Sequence, residues 1–124
     1  MGPRRVLVVD DDPTIRDVLQ TMLDFEGCEV VVASDGNTAI DTARRLQPDV
    51  VLLDVMMPGM NGVEVCRLLK AESDPPKVVM VTAKSSILDQ AAGRGAGADA
   101  YLTKPFSPLQ VLTLLGVDVE ELRD

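Results

Sequence analysis

The sequence predicts an α/β fold, a doubly wound parallel five-stranded sheet built from five βα units, (βα)5. Three observations predict it. Five short, β-branched-rich apolar runs recur at similar intervals, amphipathic helical patterns lie between them, and the two kinds of segment alternate strictly along the 124 residues. Strands that read as continuous apolar runs, each followed by a helix, belong to parallel sheets covered on both faces through right-handed crossovers.

The first strand run is 6–9. After it, Ile15, Val18, Leu19, Met22 and Leu23 form a single apolar stripe at helical spacing that ends near Gly27. The second run, 30–33, leads to Ala39, Ile40, Ala43 and Leu46, which stop before Pro48. The third, 50–53, precedes Val63, Cys66 and Leu69, and Pro75 closes that helix. The fourth, 78–81, is followed by Ile87, Leu88, Ala91, Ala92 and a glycine cluster. The fifth, 100–102, leads to a last helix from Pro108 through Val111, Leu112 and Leu115 to Gly116. No linker, repeat or low-complexity stretch divides the chain. One domain is expected over 1–124, with its core at about 4–115 and a tail at 116–124.

Composition narrows the function. A net charge of −8 opposes contact with nucleic-acid phosphates, so no direct nucleic-acid partner is expected. The apolar stretches fall far short of the roughly 20 residues that span a bilayer, and the N-terminus lacks a secretory apolar region, so no membrane partner and a cytoplasmic location are expected. The chain has no histidine, which removes Ser-His-Asp catalysis, histidine-ligated zinc and a phosphohistidine of its own. Cys28 and Cys66 lie far apart and read as reduced, packed side chains. Chemistry falls to carboxylates, hydroxyls and lysines.

Each polar candidate stands where an apolar run stops. Asp10, Asp11 and Asp12 follow the first run, Asp54 the third, Thr82 the fourth and Lys104 the fifth. Open α/β sheets bind ligands outside the carboxyl ends of their strands, where strand order reverses. With an order of 2-1-3-4-5 that reversal falls between the first and third strands, the two that carry the aspartates. Carboxylates gathered closely repel by about 4 kcal/mol per pair at an effective dielectric near 20, so a cation must offset them. Mg²⁺ takes hard oxygen ligands and suits Asp11 and Asp54, while Lys104 would face phosphoryl oxygens. Asp54, the best isolated carboxylate, suits a nucleophile that forms an acyl phosphate.

Plainer roles compete. Asp12 before Pro13 reads as a helix N-cap, and because one cap uses one aspartate, Asp10 and Asp11 are left for other work. Taken singly, Asp54 reads as a turn residue, Thr82 as a β-branched strand residue and Lys104 as a solvated charge. Their coincidence at one edge sets them apart. Gly93, Gly95 and Ala98 fit G-x-G-x-x-A but follow a helix and precede a strand, the reverse of a dinucleotide site. Asp10-x-Asp12-x-Thr14 lacks the glycine and glutamate of a calcium loop.

The stretches "VLVVDDDPTIR", "DVVLLDVMMPGMNG", "VTAKS" and "GADAYLTKPFSP" together resemble, in order and spacing over about residues 4–115, the receiver domain of bacterial two-component response regulators. The resemblance implies the strand order 2-1-3-4-5 of a flavodoxin-like fold. It implies that Asp54 accepts a phosphoryl group, in a Mg²⁺-dependent reaction, from a sensor histidine kinase or histidine phosphotransfer protein. Asp11, Asp54 and the backbone carbonyl of Met56 would ligate the metal directly, and Asp10 through water. Met57, Pro58 and Gly59 would shape the turn. Lys104 would contact the phosphate across a cis bond to Pro105, and Thr82 and Tyr101 would form the switch pair. A downstream protein or output domain outside these residues would read the surface of the fourth helical pattern, the last strand and the last helix.

On this reading the chain is a phosphoacceptor signalling domain that promotes its own phosphorylation and dephosphorylation without turning over a separate substrate. It is expected to be either a stand-alone regulator or a receiver of a longer protein. Its last helix is shorter than the family's, so a homodimer, if formed, is expected to be weak. Val55 and Met56 offer no polar group to an attacking water, which predicts slow hydrolysis of the acyl phosphate. The rival reading is a phosphorylation-independent pseudo-receiver that only binds partners, and the retained Asp11, Asp54, Thr82 and Lys104 oppose it. A haloacid-dehalogenase-like phosphatase would need an aspartate where Met56 stands.

Overall fold

The computed structural model describes residues 5–57, 59–83 and 94–116. Strands β1 (Arg5–Val9), β2 (Glu29–Ala33), β3 (Val50–Asp54), β4 (Lys77–Ala83) and β5 (Ala100–Lys104) form one sheet in the order β2-β1-β3-β4-β5. Every neighbouring pair is parallel. The described helices are α1 (Pro13–Phe25), α2 (Gly36–Leu46), α3 (Gly62–Lys70) and α4 (Pro108–Leu114). The helical pattern expected at 87–92, Gly93, the turn residue Pro58 and most of the tail, 117–124, lie outside the described residues.

Strand alternation divides the core into two layers. Leu7, Val9, Val51, Leu53, Val78 and Met80 point to one face, where Ala39, Ile40 and Ala43 of α2 and Val65, Cys66 and Leu69 of α3 cover them. The opposite face carries Val6, Val8, Val50, Leu52, Val79, Val81 and Leu102, covered by Leu19 and Leu23 of α1 and Val111 and Leu112 of α4. Burial on both faces explains why these strands read as unbroken apolar runs.

Local chemistry sets the helix ends. Asp12 caps α1, its carboxylate accepting from the Thr14 N–H at 2.9 Å, with Pro13 in the first turn as expected. Asp35 caps α2 through the Thr38 N–H at 2.8 Å, and Asn61 caps α3 through the Glu64 N–H at 3.0 Å. Ser107 and Gln110 form a reciprocal capping box on α4, whose last turn receives a bond from Lys77 Nζ to the Leu114 carbonyl at 2.6 Å.

Three strands run past the apolar residues that announce them. Asp54 pairs with Val81, Thr82 with Thr103 and Ala83 with Lys104, so Asp54, Thr82 and Lys104 lie within their strands rather than after them. The ladder is made by backbone groups, which pair regardless of whether the side chain is polar. This keeps the three functional candidates on rigid strand ends.

Candidate functional site

Reversal of strand order between β1 and β3 opens a cleft above their carboxyl ends, lined by Asp10, Asp11, Asp54 and Lys104 and rimmed by the apolar Val18 and Met56. Asp10 follows β1 directly and Asp54 ends β3, each nearly closed to solvent at 2% and 5% exposure, whereas Asp11 is exposed. One carboxylate oxygen from each of the three lies within 4.8 Å of the others. Lys104, from the end of β5, reaches across with Nζ 3.3 Å from Asp10 Oδ2 and 3.5 Å from Asp54 Oδ2.

Backbone donors orient the carboxylates. Asp10 Oδ1 accepts from the Asp12 N–H at 2.9 Å, and Asp54 Oδ1 accepts from the Met56 N–H at 3.1 Å. Arg16 Nη1 donates to the Asp10 carbonyl at 2.8 Å and ties the first turn of α1 to the acidic loop.

The electrostatics are unbalanced. Burial pushes the Asp54 pKa up to about 6, the Asp10 charge adds to the rise, and the Met56 N–H and Lys104 offset only part of it. Burial works against the charge on Lys104 as well, but Asp54 and Asp10 outweigh it and raise its pKa. The two shifts agree: the lysine has two carboxylates, while each carboxylate has half a lysine. A further cation would relieve the excess. Three hard oxygen donors with one edge open to solvent fit Mg²⁺ and offer no soft ligand to a thiophilic metal.

Thr82 and Tyr101 occupy the other face. Met80 pairs with Tyr101 and Thr82 with Thr103, so the Thr82 and Tyr101 side chains leave the sheet on the side of α2 and α3. Both hydroxyl oxygens are closed to solvent and have no hydrogen-bond partner among the described residues. Buried polar groups are normally paired, so these two hydroxyls stand out as unsatisfied.

The Lys104–Pro105 bond is cis, and Gly59 has φ +78°, which favours glycine. Val55 requires a correction: it is 4% exposed and packs with Leu53 in the core, since the strand's alternation carries past Asp54. Only Met56, 68% exposed, borders the cleft.

Two contributors are not evident from the sequence. A Cβ on Gly62 would meet the Asp54 carbonyl oxygen at 2.5 Å and Val55 Cα at 2.7 Å, so glycine lets α3 start hard against the strand end that carries the acidic site. Asn-Gly is a turn dipeptide, but the close approach leaves no trace in the sequence. Arg16 reads simply as a polar residue on the far side of an amphipathic helix.

The sequence matches the family described as the response regulator receiver domain over residues 6–115. It is 48% identical over 109 residues to the DNA-binding response regulator MtrA of Mycolicibacterium smegmatis, covering 88% of this chain and 47% of that protein. It is 45% identical over 113 residues to the probable transcriptional regulatory protein TcrX of Mycobacterium tuberculosis, covering 91% and 48%. The chain thus spans about half the length of the curated relatives it matches. Among solved structures, the chemotaxis response regulator CheY4 of Vibrio cholerae superposes with a TM-score of 0.84 at 34% identity, covering 90% of this chain and 95% of that one. The BeF3-activated N-terminal receiver domain of Klebsiella pneumoniae RstA superposes with a TM-score of 0.84 at 30% identity, covering 91% and 96%. A match that runs from the first strand to the last helix, with the family's acidic cleft at the reversal of strand order, makes this chain a member of the response regulator receiver domain family.

Proposed function

We propose that this receiver is a phosphorylation-dependent switch whose acceptor is Asp54. The observation that carries the reading is a buried carboxylate at the end of β3, with a lysine 3.5 Å away and two further aspartates, Asp10 also buried, beside it. A carboxylate oxygen of Asp54 attacks the phosphorus of a phosphohistidine on a sensor kinase or phosphotransfer protein; the P–N bond breaks and the imidazole leaves. With a pKa of about 6, Asp54 is about nine-tenths ionised at pH 7 and competent as a nucleophile. The Met56 N–H fixes one carboxylate oxygen, which leaves the other to react. Lys104, charged throughout the physiological range, binds the phosphoryl oxygens as negative charge accumulates.

Asp10, Asp11 and Asp54 would hold Mg²⁺, with the Met56 carbonyl as a further ligand. When bound, the metal supplies charge neutralisation between the carboxylates and the phosphoryl group. Thr82 then donates to a phosphoryl oxygen, satisfying its orphaned hydroxyl, and Tyr101 follows on the same face of the sheet. The relatives named as DNA-binding or transcriptional regulators are about twice as long, which supports an output element outside these residues. The acidic receiver itself is not the DNA-contacting part. Among the described residues no helix is long and apolar enough to cross a membrane.

Phosphoramidate carries a P–N bond like that of phosphohistidine and tests the chemistry without a kinase. Phosphate-affinity electrophoresis should show a retarded band with Mg²⁺, none with EDTA, and one at least tenfold weaker for Lys104→Ala. Equal retardation in EDTA would overturn the role of the metal.

A further inference from the structure

Tyr101 is held in an unusual way. Its ring is half-buried against the core layer that contains Met80, Cys66 and Ala96, yet its phenolic oxygen is closed to solvent and makes no hydrogen bond among the described residues. A buried phenol without a partner forfeits what water would give it, so hydrogen bonding does not fix the ring where it is. Apart from packing, among the described residues one polar contact touches it: the guanidinium carbon of Arg94 lies 5.8 Å from the ring centroid, over the aromatic face. A planar cation at that distance is attracted by the ring's quadrupole. Arg94 is itself exposed and not part of the core, so its contact with the ring is not a by-product of its own burial.

We propose that Arg94 is the positioning residue of Tyr101: its guanidinium holds the ring in the half-buried position on Thr82's side of the sheet and so sets how far the switch moves when Asp54 is modified. This inference rests on the reading of Thr82 and Tyr101 as the switch pair. Arg94 and the phosphoryl group bias the same ring equilibrium, and a ligand shifts an equilibrium only by its differential interaction with the two states. Removing Arg94 therefore changes the ring's distribution and its response, while the chemistry at Asp54, on the opposite face of the sheet, proceeds at its usual rate. A cation–π contact at an exposed site is worth about a two- to five-fold change in the ratio of ring positions. Burial raises the Tyr101 pKa and Arg94 opposes that rise, in keeping with a charge close to the phenol.

The chain has one tyrosine and no tryptophan, so its ultraviolet emission reports Tyr101 alone. The experiment measures Tyr101 fluorescence decay and acrylamide quenching in the wild type, Arg94→Gln and Arg94→Lys, before and after incubation with acetyl phosphate and Mg²⁺, with the adduct counted by mass in the same samples. Arg94→Gln keeps a planar, polar head on a shorter stem but removes the charge, and Arg94→Lys keeps the charge but not the stacking plane. The expected result is a two- to five-fold shift in the decay-component ratio and more quenching for Arg94→Gln, an intermediate shift for Arg94→Lys, and unchanged melting temperature and rate of adduct formation in both. Identical decay and quenching in all three proteins would overturn the proposal. Wild-type emission unmoved by a verified adduct would overturn the place of Tyr101, and with it of Arg94, in signalling. Absence of any adduct would instead overturn the reading of Asp54, and the decay ratios of the unmodified proteins would still decide whether Arg94 holds the ring.

Discussion

At Asp54 the demands of folding and of reactivity oppose each other. Its raised pKa, about 6 against 3.8 for an ordinary aspartate, means that the folded protein binds a proton there more tightly than the unfolded chain does. Charging Asp54 therefore costs stability above about pH 6, by about 3 kcal/mol at most, and the cost disappears as pH falls from 6 to below 4. Asp54→Asn is expected to stabilise the metal-free protein at pH 7.5 by about 1–3 kcal/mol and to lose that advantage below pH 4, as read by urea unfolding in EDTA. Lys104→Met has the opposite sign. It leaves Asp10 and Asp54 facing each other without their shared lysine, and should lower metal-free stability at pH 7.5 by about 1–2 kcal/mol. The identity of these residues was legible because each interrupts an apolar run; the imbalance among them was not, since it depends on one lysine being shared by two carboxylates 44 residues apart in sequence.

The elements divide into those that composition announces and those that contacts decide. Asp12, Pro13 and the stop before Pro48 marked helix ends that α1 and α2 respect within two residues. The start of α3 was set by something sequence does not show, the approach of Gly62 to the Asp54 and Val55 backbone. Gly62→Ala should cost about 2–3 kcal/mol in thermal or urea unfolding, because a Cβ at 2.5 Å from a backbone oxygen forces the loop to move. Gly59→Ala meets open space and should cost only the about 1 kcal/mol of a left-handed residue. Asp99 joins α3 to the start of β5: its Oδ2 accepts from Lys70 Nζ and from the Val78 N–H, each at 2.8 Å. Burial alone would raise the Asp99 pKa, but the Lys70 and Val78 bonds outweigh it and hold it below 3.8. Its contribution is accordingly complete above pH 4 and lost as pH falls through its lowered pKa. Asp99→Ala should cost about 1 kcal/mol at pH 7, with the difference from wild type shrinking in acid.

At the scale of the whole molecule, topology puts the proposed acceptor site and the proposed switch pair on opposite sides of one sheet. Asp10, Asp54 and Lys104 share strand parity with the layer under α1 and α4, whereas Thr82 and Tyr101 share it with the layer under α2 and α3. Alternating apolar runs and helices made the (βα)5 class legible, because parallel strands buried on both faces leave that pattern. Periodicity alone did not give strand order, which came with the family resemblance; crossovers, not residues, determine it. The apolar Met56 at the cleft, with Val55 turned into the core, leaves little to orient a hydrolytic water. Once formed, the acyl phosphate should persist for minutes or longer when followed with labelled phosphate, and Met56→Asn should shorten it. The central claim, that Asp54 is the acceptor of a metal-dependent phosphoryl transfer, is tested most directly by intact-mass analysis after incubation with acetyl phosphate, with and without Mg²⁺, on wild type and Asp54→Asn. One phosphoryl adduct that requires Mg²⁺ and vanishes in the variant is the predicted result; an adduct that survives in Asp54→Asn, or none on wild type under conditions that label another receiver, would contradict it.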